Sequence, residues 1–358
     1  MKFKFSKWEN LWPDEQNYLK RLHSSHLEHA KVKGTSAKAL SPETMPNLAW
    51  LRPESATNSH FSQMLVGDFM TFLVEQIGNS TSDETLDYAI FEIPSHKLVA
   101  ITQKIPHTQL IGLSYGITTY LGYWLSCFLI REELYFKDHV LPIEEVPQIL
   151  WAIWDADCLD LLDGFALQIF PVIKEKPWIQ IAPVQWFFAH ELFHGILASF
   201  PEEQRRAIVS DCVGHDPTEV HHAEEHCCDM FALNSVRNYW QSLGVGAEEV
   251  NRLMASMFVA LTFKPSVFRR ASDSHPSIQQ RLAMLAKDSG FKDAAYWAID
   301  HFKFRGKSGV ESVFQMAKQF DRWRIVYESS YVEHLNRLKE EVEEFRTQMQ
   351  DQFPGVRF

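Results

Sequence analysis

The sequence predicts a mainly α-helical chain with a small β-sheet, an α+β fold. Apolar residues recur at helical spacing over most of the chain after residue 183, whereas β-rich runs are few, short and lie before it. With 46% apolar and 23% charged residues, the composition is that of a folded globular protein.

Taken in order, residues 8 to 30 are polar with helical spacing. The Ser- and Pro-containing stretch KVKGTSAKALSPETMPN then reads as a linker, so residues 1–60 form an amino-terminal extension. A helix is expected from Phe61 to Ile77, then a polar turn (GNSTSDET) and strands at Tyr88 to Ile93 and Lys97 to Ile105. The uncharged stretch from Leu110 to Ile130 is long enough to raise the question of a membrane span. It carries three Gly, three Tyr and four Ser/Thr, which favours a buried strand followed by a helix.

Between Phe165 and Ala182 the runs FALQIFPV and WIQIAP flank IKEKP, predicting a hairpin that leads into a helix opened by Pro183 and ending near Ser199. In DPTE, Asp216 is a cap, Pro217 a first helical residue and Glu219 a capping-box partner, for a helix reaching about Ser242 with Gly244 beyond its end. Further helices are expected from Glu248 to Phe263, from Pro276, and from Tyr331 to Gln352. In the last, Leu335, Leu338, Val342, Phe345 and Met349 form an amphipathic stripe, read as packing on the chain itself rather than as a dimerising coil. This gives a central domain over 61–290 and a carboxy-terminal helical region over 291–358.

A net charge of −11 and the lack of a Lys/Arg block argue against a nucleic-acid partner. The first residues, MKFKFSKWENLWPDEQ, lack the apolar core of a secretory signal, and the five cysteines form no paired framework. Reduced thiols, a cytoplasmic address and no membrane association are expected.

The chemistry concentrates in His190-Glu191-Leu192-Phe193-His194, an HExxH pattern inside the apolar run PVQWFFAHELFHGILASF. On a helix, residues four apart lie one above the other, so both imidazoles can hold one ion, with Glu191 beside them as a base. A buried His-Glu-His cluster in so apolar a segment is costly without a metal. The hairpin expected before it would supply an edge strand of the kind along which zinc peptidases lay substrate.

Such a site needs a third protein ligand, with the fourth position left to water. In EVHHAEEHCCDMFAL, Glu225 and Asp229 are one turn apart and share a face. The economical assignment puts Glu225 on the metal and Asp229 on the far nitrogen of a ligating His. Glu224 and His221 stay open as alternatives to Glu225. The His222/His226 pair and Cys227 and Cys228 read as packing or surface features.

HELFH, EHCCD and SHPSIQQRLAML, in that order, resemble the gluzincin-type peptidase family that includes the CAAX prenyl endopeptidases and the heat-shock protease HtpX. Its signatures are HExxH, ExxAD and a later HPxxxxR, and Cys228 stands where the family has Ala. The resemblance covers about Trp178 to Leu285. It implies a zincin-like core, zinc on His190, His194 and Glu225, Glu191 as general base, and Asp229 behind a ligating His. It further implies His275 as an active-site residue and Arg281 as a structural or site-bracing partner.

The expectation is a zinc-dependent endopeptidase acting on a protein or peptide. Residues 1–60 and 290–358 are long enough to cover a cleft or dock a regulatory protein. The rival is a regulatory or binding protein with a structural or inactive zinc site. The presence of Glu191 argues against that rival, because a structural site needs no base.

Overall fold

A computed structural model describes residues 2–6, 8–32, 60–77, 85–93, 98–130, 134–136, 139–141, 173–213, 220–262 and 276–301. Among these the chain is mostly helical with a small sheet, the expected α+β class. It divides into two compact units, one of Met1–Gly122 and Gln180–Ala247, the other of Tyr123–Ile179 and Glu248–Phe358.

In the first unit, strands β1 (Lys2–Phe5), β2 (Thr85–Ile93), β3 (Ala100–Lys104) and β4 (Gln109–Ser114) form one sheet in the order β1-β2-β4-β3. β1 and β4 run parallel to β2, and β3 is antiparallel to β4. The first residues, read from the sequence as part of an extension, are thus an edge strand. Tyr88 to Ile93 is buried throughout, so both faces of β2 are covered, which explains its continuous apolar run.

The pleat sorts the two faces. Ala89, Phe91 and Ile93 pack with Leu110 against Leu11 and Leu19, the latter on helix α1 (Pro13–Val32). Tyr88, Ile90 and Glu92 point the other way, and the Tyr88 ring lies 6.2 Å from that of Phe188. Phe188 belongs to a 22-residue helix, Trp178–Ser199, which follows α2 (His60–Ile77) and α3 (a π-helical stretch Gly116–Leu121 continued by Gly122–Ile130) and is named α4. β4 and α3 together account for the uncharged stretch as strand plus helix. No helix among the described residues is long and apolar enough to cross a membrane.

Trp178 to Ala182 corrects the expected hairpin. This run is the first part of α4, and Pro183 sits inside the helix rather than at its start. Ile179, Ala182 and Trp186 fall three and four apart and are all buried, so helical burial overrides the local β preference of the isoleucines. Pro183 cannot donate to the Ile179 carbonyl, a loss borne near the helix start. The edge strand expected immediately before the HExxH segment is therefore not formed by these residues. FALQIFPV lies outside the described residues, as do the DPTE cap, the linker from residue 33 on and the helix expected at 331–352, while Lys31 and Val32 at the start of the linker end α1.

Helix α5 (Glu202–Val213) precedes α6 (Val220–Ser242). α6 stops where expected. Gly244 has φ +87, the Gly244 N–H returns to the Gln241 carbonyl at 3.0 Å and that of Val245 to Trp240 at 2.9 Å, a left-handed glycine ending. Phe69 and Phe72 of α2 meet the Tyr239 ring of α6 edge-on, at 5.2 and 5.5 Å.

The second unit contains a two-stranded ribbon, β5 (Leu134–Phe136) with β6 (His139–Leu141), and helices α7 (Ala247–Thr262), α8 (Ile278–Leu285) and α9 (Ser289–His301). α8 is capped by Ser277, which accepts from the Gln280 N–H at 3.2 Å while the Gln280 side chain takes the Ser277 N–H at 2.8 Å. Pro276 thus precedes the cap instead of opening the helix. Phe258 of α7 meets Phe291 of α9 edge-on at 6.3 Å.

Candidate metal centre

α4 is held firmly where its polar residues emerge. Gly195 approaches the sheet so closely that a Cβ there would lie 2.9 Å from Cγ of Gln109. Gln109 in turn donates to the Thr102 hydroxyl at 2.6 Å, joining β4 to β3. Trp240 Nε1 donates to Gln185 Oε1 at 2.8 Å, and the rings of Phe193 and Phe231 stack at 4.3 Å. α4 and α6 therefore run antiparallel, and the part of α6 before Phe231 faces the part of α4 around Phe193.

His190, His194 and Glu225 converge there, each offering a ligand atom within 4.8 Å of the others. His190 Nε2 lies 3.2 Å from His194 Nε2 and 3.4 Å from Glu225 Oε2, and His194 Nε2 is 3.2 Å from Glu225 Oε1. The far side of His190 is occupied by Asp229, whose Oδ1 is 3.0 Å from Nδ1. Trp186, one turn before, stacks on the same imidazole with ring centroids 5.1 Å apart. Glu225 and Asp229 are buried, as is His190, whereas the His194 side chain keeps 22% of its surface exposed. The cluster is thus closed on one side and accessible on the other.

The donor set explains why these atoms can share an ion. If Asp229 fixes a proton on His190 Nδ1, then Nε2 presents a lone pair towards a Glu225 oxygen and a second imidazole. Lone pairs facing one another at low dielectric repel, and a cation among them reverses the sign. The separations of 3.2, 3.2 and 3.4 Å, the last two to different oxygens of Glu225, leave one ion able to reach both imidazoles and the carboxylate. The buried His190, His194 and Glu225 group can hold a metal ion.

The alternatives for the third position are turned to other partners. Glu224 Oε1 lies 3.0 Å from Arg205 Nε of α5, and its other oxygen is 3.7 Å from Nδ1 of the exposed His221. His222 and His226 are half-buried, and Cys227 and Cys228 are buried; none joins a metal-holding group among the described residues. Glu191, half-buried, follows His190 directly on the same turn of α4. Arg281 is buried on α8, its guanidinium 6.0 Å from the Phe258 ring, within the second unit. His275 lies outside the described residues.

Sequence reasoning missed Trp186 and the Gly195–Gln109 approach. The first was findable, because Trp186 stands four residues before His190 and so shares its face. The second was not, since nothing local to Gly195 announces a strand from eighty residues earlier.

No protein-family model, curated protein or solved structure matches the chain.

Proposed function

We propose that the chain is a zinc-dependent endopeptidase of gluzincin type, with zinc held by His190, His194 and Glu225 and with Glu191 as general base. The observation that carries the proposal is the three-way convergence of two imidazole Nε2 atoms and one carboxylate at 3.2–3.4 Å, on the two helices that carry the HExxH and ExxxD patterns. Two nitrogens, one carboxylate and no fourth His, Cys, Asp or Glu in the group among the described residues suit zinc in a catalytic site better than a closed structural one. A zinc ion held by His190, His194 and Glu225 would supply Lewis acidity, enough to bring the pKa of water to about 7.

The chain's own groups do the rest. Asp229 holds the tautomer of His190, and Trp186 holds its ring plane, so that Nε2 keeps its aim. Glu191, half-buried and next to His190, takes the proton from the attacking water and returns it to the leaving amine. The partial exposure of His194 leaves a side from which a peptide can approach. Within the fold, β3 is an unburied edge, but it is not the strand adjoining α4 in sequence.

Glu191→Gln tests the proposal. It is expected to keep zinc at parental stoichiometry and to lose about 10²–10⁴-fold in hydrolysis. New protein termini mapped in cells expressing the parent, and missing with Glu191→Gln, would identify the substrate. Equal sets of termini from the two would contradict the assignment of Glu191.

A further inference from the structure

The two imidazoles of the metal centre have different surroundings. Trp186 stands one turn before His190 on α4, and helical side chains lean towards the amino terminus, which brings His190 over the turn that Trp186 occupies. The two ring planes are 28° apart with centroids at 5.1 Å, so His190 meets the face of the indole and not its edge. Trp186 is itself 1% exposed, and the Phe187 ring meets it edge-on at 5.0 Å, which fixes the indole plane. His194, by contrast, crosses the His190 ring at 76° and keeps 22% of its side chain in solvent.

We propose, on the reading of His190, His194 and Glu225 as metal ligands, that the Trp186 indole is a cation–π support of the centre, setting part of its affinity for the ion. An imidazole that shares its Nε2 lone pair with a cation becomes electron-poor, and the negative face of an indole attracts such a ring. The attraction is strongest where water is excluded, and both rings are buried. Asp229, 3.0 Å from Nδ1, meets the same demand at the ring edge. The charge that His190 takes on is thus answered by a carboxylate in its plane and by an indole on its face. Apolar packing would act alike with and without the ion, whereas a cation–π contact strengthens when the ion is bound. Trp186 is in this sense a positioning residue that acts through His190.

The test is zinc affinity, read by competition with a chromogenic chelator, on full-length chains in which the ring of Trp186 alone carries no, one, two or three fluorine atoms, introduced by nonsense suppression. Fluorine withdraws charge from the ring face and leaves the shape of the indole nearly unchanged. Affinity is expected to fall stepwise, about tenfold over the series, while the urea midpoint of the metal-free chain stays level. Trp186→Phe, which keeps a weaker aromatic face, is expected to lose about threefold and Trp186→Leu about tenfold. Equal affinity across the fluorinated series overturns the proposal and makes Trp186 a packing residue, even where Trp186→Leu binds poorly or fails to fold, and it leaves the zinc site standing. A chain with unmodified Trp186 that takes up no zinc overturns the ligand assignment and the proposal together.

Discussion

The first unit buries acidic side chains in two settings, and the contrast separates holding a fold from holding a ligand. On the sheet side, Glu15 accepts from the N–H groups of Trp12 at 3.2 Å and His107 at 2.9 Å and from the Thr108 hydroxyl at 3.3 Å. Glu92 accepts from the Thr118 hydroxyl at 2.9 Å, and burial pushes its carboxyl up to about 7, with that hydrogen bond pulling the other way. Between α4 and α6, by contrast, Glu225 faces imidazole nitrogens on both oxygens. Protein donors answer the first two acids, whereas the third is answered best by a cation. Burial alone does not mark a site; what surrounds the buried oxygens does.

The largest expected effect lies at Glu225. Glu225→Gln is expected to weaken zinc binding by more than the 10–100-fold typical of an outer partner, while metal-free stability in urea stays level or rises. A lower metal-free stability at unchanged affinity would make Glu225 a structural acid like Glu15.

Next comes pH. Because Glu92 has a folded pKa of about 7 against 4.5 unfolded, the folded state binds the extra proton between these values. Its contribution is therefore fully present below about pH 4.5 and is lost as pH rises to about 7, a change of the order of 3 kcal/mol. Glu92→Gln keeps an acceptor for Thr118 and is expected to flatten urea midpoints across this window. A parental slope in the variant would assign the pH dependence elsewhere.

Asp229→Asn is expected to cost about 10–100-fold in zinc affinity with little change in fold, read by competition with a chromogenic chelator. The smallest effect is on the sheet side. Glu15→Gln is expected to lose about 1–2 kcal/mol in urea unfolding and to leave zinc affinity unchanged.

The contrast also explains what was legible in the sequence. His190/His194 and Glu225/Asp229 are each one helical turn apart, so periodicity alone aligns each pair, and only the antiparallel meeting of α4 with α6 had to come from the fold. β2, β3 and β4 were visible as apolar runs, but the pairing of β1 with β2 joins residues some eighty positions apart and has no local signature. Trp178 to Ala182 misled because isoleucines beside a proline resemble a strand until burial on a helical period is known.

The central claim is that one cation is held jointly by His190, His194 and Glu225. Its most direct measurement is zinc titration of the metal-stripped chain beside His190→Ala. One zinc ion per parental chain, with binding abolished in His190→Ala, is the predicted result; a parent that takes up no zinc, or a variant that takes up as much as the parent, would contradict it.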